Sequence, residues 1–123
     1  MAKKQKKIAP RRGEVYLVNF NPTIGSEIRK TRPALVLQND IANEYSPIVI
    51  IAAITSKFEY PLYPTDALVK KGEAGLPRDS VVLLNQIRSV DKRRLRKMIG
   101  KVENQTMIRV DHALEMSLGI IKI

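Results

Sequence analysis

The chain has no cysteine, no tryptophan and a single histidine, and aromatic residues make up only 5% of its 123 positions. Without a thiol there is no thiolate nucleophile, no cysteine-bound structural zinc and no disulfide framework, which suits a reducing compartment. The lone His112 falls inside a helical pattern and has no second histidine to share a metal ion with. It reads as a half-exposed helix residue rather than a ligand or a general base. Asp40, Glu44, Asp66, Glu73 and Asp79 are scattered over loop-like stretches, so neither a metal ion nor another cofactor is expected. No phosphate-binding glycine loop, dinucleotide fingerprint or nucleophile elbow occurs. The longest apolar run, Ile48 to Ile54, is too short to span a bilayer, and the basic N-terminus lacks the apolar stretch of a signal peptide. A cytoplasmic protein with no membrane partner is expected.

What is present is a 44% apolar fraction, enough for one domain whose core must be filled by Leu, Ile and Val. Lys and Arg number 22 against 12 Asp and Glu, a net charge of +10. A small domain with that excess meets a polyanion, and nucleic acid is the first candidate. Met1 to Arg12 holds six cations and no acid. Residues 1–11 read as a basic, disordered tail ahead of a single domain over 12–123. The tail is either an arm that touches phosphate or a solubilising extension.

Alternation of apolar and polar residues predicts a strand over Glu14 to Phe20, with Val15 and Leu17 on one face and Tyr16, Val18 and Phe20 on the other. A polar loop follows to Thr31, then a strand over Pro33 to Asn39 and a turn-rich connection over Asp40 to Pro47. The run Ile48 to Thr55 fits a strand buried on both faces. Thr65 to Val69 and Ser80 to Val90 read as further strands, the second bent near Asn85. Asp91 is a candidate cap for a basic helical turn to Lys97, and a last strand reaches Val102. A terminal helix capped by Asn104 would present Met107, Val110, Leu114 and Leu118 along one stripe. Short strands with one or two small helices predict a mainly β, α+β fold built on an antiparallel barrel-like sheet.

With the usual acids, bases and metals missing, arginine, hydroxyl and amide chemistry is left. The loop Gly25 to Pro33 carries Glu27 and the cations Arg29, Lys30 and Arg32. Pro33 pushes Arg32 towards an extended backbone at the join of loop and strand, where a guanidinium can clamp phosphate through paired hydrogen bonds. A solvated loop with a structural Arg–Glu pair is the plainer reading. Thr55 ends the most apolar strand, placed to donate to a ligand or to cap its own turn. Gln86 and Arg88 punctuate an apolar strand and share a face. Tyr63, between Pro61 and Pro64, offers a stacking surface for a base or packs into the barrel wall. Arg88 to Lys101 holds seven cations and one acid, either a phosphate-binding surface or a solvated face.

Taken in order, these motifs resemble the MazF/PemK-type toxins. The match opens with Arg12-Gly13-Glu14-Val15-Tyr16, then Pro22, Gly25-Ser26-Glu27, Arg32-Pro33 and Gln38-Asn39-Asp40. It continues through Ser46-Pro47, Ala52-Ala53-Ile54-Thr55, Pro64-Thr65, Arg78-Asp79-Ser80-Val81, Asn85-Gln86-Ile87-Arg88 and Asp91-Lys92, and closes on Ser117-Leu118-Gly119. The resemblance implies an SH3-like antiparallel barrel sheet with a C-terminal helix, a homodimer, and a sequence-specific, metal-independent endoribonuclease that cuts single-stranded RNA. Such a toxin inhibits translation by cleaving mRNA and is held inactive by an antitoxin with an acidic tail in the RNA groove. The family's catalytic arginine and threonine align with Arg32 and Thr55. Residues of the RNA groove align with Glu27, Gln86 and Tyr63, and Arg29 and Arg88 add cations that would meet RNA. Many relatives carry glycines where Arg29 and Lys30 stand, so this loop is more basic.

The implied reaction is attack of a ribose 2′-hydroxyl on the adjacent phosphorus, leaving a cyclic phosphate and a 5′-hydroxyl. Arg32 and Thr55 would stabilise charge on the nonbridging oxygens, and in-line orientation of the hydroxyl would supply further acceleration. Guanidinium groups hold their protons tightly, so charge stabilisation suits Arg32 better than proton transfer. Two other readings stand beside this one: a non-catalytic toxin of the same fold that binds DNA gyrase, and a plain RNA-binding module.

Overall fold

The computed structural model describes residues 9–22, 25 and 30–122. Six strands form one sheet: β1 (Glu14–Asn19), β2 (Thr31–Val36), β3 (Ile48–Thr55), β4 (Asp66–Val69), β5 (Ser80–Asp91) and β6 (Leu95–Lys101). Helix α1 (Asp40–Tyr45) links β2 to β3, and helix α2 (Asn104–Ser117) ends the fold. Single 3₁₀ turns sit at Glu73–Gly75 and Lys92–Arg94. Among the described residues no helix is long and apolar enough to cross a membrane.

The strand order is β4-β5-β3-β2-β1-β6, and every neighbouring pair is antiparallel. β4 and β6 are the two edges and do not pair with each other, so the barrel-like sheet is not closed by hydrogen bonds. It is closed by packing instead. The turn Glu73–Gly75, which follows β4, lies against β6 at the opposite edge, so this turn bridges the gap between the two edges. The approach is backbone on backbone: a Cβ on Gly75 would sit 2.1 Å from the Ile99 carbonyl oxygen, and one on Gly100 would sit 2.3 Å from the Ala74 carbonyl carbon. Only glycine fits at either point.

Alternation along the strands feeds two cores on opposite faces. Leu35, Leu37, Ala52 and Ile54 join Val15, Val82, Leu84 and the helix residues Val110 and Ala113. Ala34, Val36, Val49, Ile51 and Ala53 join Val18, Phe20, Val90 and Leu95. The apolar run of β3 is thus buried on both faces over Ile51 to Ile54, while Ile48 and Ile50 remain exposed at 39% and 38%. β5 changes register between its pairing with Ala52 and with Ile54, the bend expected near Asn85.

Several local expectations differ from the fold. Asp40–Tyr45 is helical because Asn39 Oδ1 accepts from the Ala42 N–H at 2.9 Å, the cap a short helix needs. Buried Asn43 fastens it: Asn43 Nδ2 donates to the Gln38 carbonyl (2.8 Å), and Gln38 Nε2 donates to Asn43 Oδ1 (3.1 Å) and to the Ile48 carbonyl (2.8 Å). The basic helical turn after Asp91 spans only Lys92–Arg94, and β6 begins at Leu95. Asn104 is the first residue of α2 rather than its cap. The inner face of α2 is Thr106, Val110 and Ala113, with Met107 and Leu114 packed at its side, while Leu118 is 59% exposed.

The N-terminal edge of the domain is tied down by ions. The Arg12 side chain donates to the Leu37 carbonyl (3.0 Å) and pairs with Asp111 on α2. The Arg12 N–H donates to Asp40 Oδ1 at 2.7 Å. That bond, followed by one from Asn43 and the charge of Arg11, holds the Asp40 carboxyl below its ordinary value.

Two outcomes are expected. Gly100→Ala should lower unfolding stability by about 1–3 kcal/mol through overpacking alone. Gly119→Ala, with nothing within 4 Å of its Cβ, should carry only the cost of its left-handed backbone; urea titration compares the two. Asp40, with its pKa depressed in the fold, contributes stability above the unfolded carboxylate value of about 3.9 and loses it as pH falls through the folded value. Acid titration of Asp40→Asn should therefore show a shallower loss of stability below about pH 4 than the wild type.

Candidate nucleic-acid cleavage site

Arg32 and Thr55 stand far apart in the chain yet line one cavity of about 500 Å³. Antiparallel pairing explains this. Arg32 lies at the entry of β2, opposite Val18, and Thr55 is the last residue of β3, paired with Val81. Since β2 and β3 run side by side in opposite directions, the start of one and the end of the other fall at the same rim. The remaining wall comes from the seam of the sheet, with Leu76 and Arg78 after the 3₁₀ turn facing Ile99 of β6.

The cavity has apolar walls, among them Leu17, Pro33 and Ile54, and a polar mouth. Arg32, Lys57 and Arg78 contribute cations, and no carboxylate is among the described residues that line it. Like charges so placed repel one another and favour an anionic guest. The Thr55 Oγ1 accepts from the Lys57 N–H at 3.1 Å, which fixes the turn leaving β3 and aims the hydroxyl. That bond uses an oxygen lone pair and leaves the O–H as a donor. The turn-cap reading of Thr55 is thus observed, and it leaves the hydroxyl able to donate to a ligand.

The motif Arg78-Asp79-Ser80 divides its labour. Asp79 accepts from the Lys71 N–H (2.8 Å), and buried Ser80 donates to the Arg78 carbonyl (3.0 Å). The backbone is thereby locked where Arg78 enters the cavity. Sequence reasoning gave Arg78 and Lys57 no role. Arg78 could have been found from the motif that holds it, whereas Lys57 carries no signal beyond its place after Thr55.

The other candidate residues lie elsewhere. Glu27 and Arg29 are outside the described residues. Tyr63 is 75% exposed, and its backbone exchanges bonds with Asp66: the Asp66 N–H donates to the Tyr63 carbonyl (2.9 Å) and the Tyr63 N–H to Asp66 Oδ2 (3.4 Å). Burial raises the Asp66 carboxyl above its ordinary value. Gln86 is half-buried at the bend of β5. Arg88 is part-buried beside Phe20, donating to the Phe20 carbonyl at 3.4 Å, and lines a separate cavity with Ile50, Leu114 and Leu118. None of the three lines the Arg32–Thr55 cavity. His112 is exposed on α2, and among the described residues no three His, Cys, Asp or Glu side chains gather as a metal site.

Comparison with known proteins identifies the family. Residues 11–118 match the family described as PemK-like, MazF-like toxin of type II toxin-antitoxin system. The chain is 46% identical over 110 residues to the endoribonuclease MazF of Staphylococcus epidermidis, covering 89% of this chain and 92% of that one. Its fold is similar to the crystal structure of MazF from Deinococcus radiodurans, with a TM-score of 0.79 and 27% identity over 92% of this chain and 99% of that one. It is also similar to a mycobacterial endoribonuclease solved in complex with its cognate antitoxin, at a TM-score of 0.74 and 25% identity, covering 94% of this chain and all 100% of that one. The chain belongs to the PemK-like, MazF-like family of type II toxin–antitoxin toxins.

Proposed function

We propose that the Arg32–Thr55 cavity cuts single-stranded RNA, mRNA included, at short sequences without a metal ion. The chain is an endoribonuclease toxin of a toxin–antitoxin pair. The observation that carries the assignment of the site is the convergence of Arg32 and Thr55 on one cavity that Lys57 and Arg78 also line. A scissile phosphate seated there meets the Arg32 guanidinium and the Thr55 hydroxyl, two donors matched to the charge that builds on the nonbridging oxygens. Attack by the neighbouring 2′-oxygen forms a bond to phosphorus and breaks the bond from phosphorus to the 5′-oxygen. Water takes the 2′-hydroxyl proton and returns one to the 5′-oxygen, leaving a cyclic phosphate and a 5′-hydroxyl. Lys57 and Arg78 hold phosphates flanking the cut. Glu27, Arg29, Gln86 and Tyr63 meet the RNA on either side. A non-catalytic binder of DNA gyrase, or a plain RNA-binding module, has no need of an arginine and a threonine in one cavity.

The partners follow from the same reading. The cognate antitoxin is an acidic segment that competes with RNA for the cavity, by charge complementarity. A second copy of the chain covers the apolar surface of Ile48, Ile50, Leu118 and Ile120, which are exposed at 39%, 38%, 59% and 67%. The dimer acts in the cytoplasm.

The test is incubation with a long single-stranded RNA in EDTA, with the ends mapped. Wild type should cut at a short recurring sequence and leave 5′-hydroxyl ends. Arg32→Ala should cut at least about 100-fold more slowly, the usual cost of losing one donor to a developing oxyanion. Wild-type inactivity in EDTA, or unchanged cutting by Arg32→Ala, rejects the mechanism. An acidic antitoxin peptide at saturation should suppress cutting; full activity in its presence rejects the shared cavity.

A further inference from the structure

Two arginines, Arg88 of β5 and Arg94 of the turn leading into β6, grip the neck of the β1–β2 connection. The neck is closed by backbone and amide bonds. The Phe20 N–H donates to the Lys30 carbonyl (2.9 Å), the Lys30 N–H to Asn21 Oδ1 (3.1 Å), and the Asn21 N–H to Asn19 Oδ1 (3.1 Å). Lys30 adopts a left-handed φ of 63°, and Arg32 follows two residues later. Three successive carbonyls of this neck are then met from outside. Arg94 Nη1 donates to the carbonyls of Asn19 (3.0 Å) and Asn21. Arg88 Nη1 donates to that of Phe20 (3.4 Å), with its guanidinium 5.7 Å from the centre of the Phe20 ring.

The base from which Arg94 reaches is rigid. Asp91 Oδ1 caps the 3₁₀ turn by accepting from the Arg93 N–H (2.8 Å), and the Lys92 N–H donates to the Pro47 carbonyl (2.9 Å). Arg93 is held back on Asp91 by two further bonds of 3.0 and 3.2 Å. Of the cations in this basic turn, Arg94 is therefore the one directed at the loop neck. A planar guanidinium can bridge two carbonyls from one nitrogen because both hydrogens lie in its plane.

We propose that Arg94 is a positioning residue for RNA cleavage. By bridging the Asn19 and Asn21 carbonyls it fixes the neck, and through the Asn21–Lys30 bond it sets where β2 delivers Arg32. This rests on the ribonuclease reading above. Loss of the bridge lets the neck shift against the cavity, and displacement of a reacting group by about 1 Å costs up to about 100-fold in rate. RNA affinity, spread over other cations, is unchanged.

The experiment uses an oligoribonucleotide holding one site already mapped with wild type, and its 2′-methoxy analogue, which binds but cannot be cut. Wild-type turnover is the control; without it the ribonuclease reading fails, not this one. Arg94→Ala should lower kcat about 10- to 100-fold, leave KM, analogue affinity and the salt dependence of binding unchanged, and be partly rescued in Arg94→Lys. A raised KM with a flatter salt dependence and unchanged kcat would make Arg94 a phosphate contact and overturn the proposal. Unchanged kinetics would overturn it too. Because the chain has no cysteine, a spin label on Gly25→Cys reads the loop directly. Its motion should increase in the Arg94→Lys background even if Arg94→Ala folds poorly, and an unaltered spectrum would overturn the inference.

Discussion

The contact of the Glu73–Gly75 turn with β6 is the constraint on which the rest of the structure depends. A six-stranded antiparallel sheet has two edges, and here the turn that follows the β4 edge packs on the β6 edge without a hydrogen-bonded ladder, backbone on backbone at Gly75 and Gly100. A side chain at either position would hold the edges apart by the width of a methyl group. The closure also decides where the cavity lies. Leu76 and Arg78 follow directly on the turn, so pressing it against β6 carries them across to the mouths of β2 and β3, where Arg32 and Thr55 stand. The site belongs to the seam rather than to any one strand.

The surplus of positive charge is divided between two uses. Arg12 and Arg93 pair with Asp111 and Asp91, while Arg88 and Arg94 satisfy carbonyls of the β1–β2 neck. These cations hold elements in register. Arg32, Lys57 and Arg78 instead line one cavity, with no carboxylate among its described lining residues, and an anion bound there would meet all three. A net charge gives no means of telling the two groups apart. The basic stretch from Arg88 to Lys101 looked uniform as a string of residues, yet Asp91 neutralises Arg93 and the loop neck takes up Arg94.

Much of the sheet was legible because period-two alternation is a local signal. The opposed faces of β1, the two-sided burial in β3 and the bend in β5 all follow from residues within a few positions of one another. The short helix α1 was missed because six residues hold no period; only the Asn39 cap announced it, and the Gln38–Asn43 amide pair that secures it is a packing fact. The apolar stripe of α2 was misjudged at Leu118 because periodicity runs past the point where the core stops. At the site, Arg32 and Thr55 were legible through the resemblance of ordered motifs. Lys57 and Arg78 were not, since a cation on a loop becomes a cavity residue only when a distant strand closes over it.

The sequence by itself determined the class of chemistry and the strands that bear it. It has no thiol, only one histidine and no metal-binding pattern, and its run of motifs aligns an arginine and a threonine with those of the MazF/PemK-type toxins. Only the tertiary structure decided that the two residues share a cavity, that Arg78 joins them across the seam, and that Arg94 reaches back to the loop before Arg32. Composition and alternation report on neighbours in the chain. Which residues meet across the seam depends on the turn before Arg78 lying against β6, where Gly75 packs on the Ile99 backbone and Gly100 on that of Ala74.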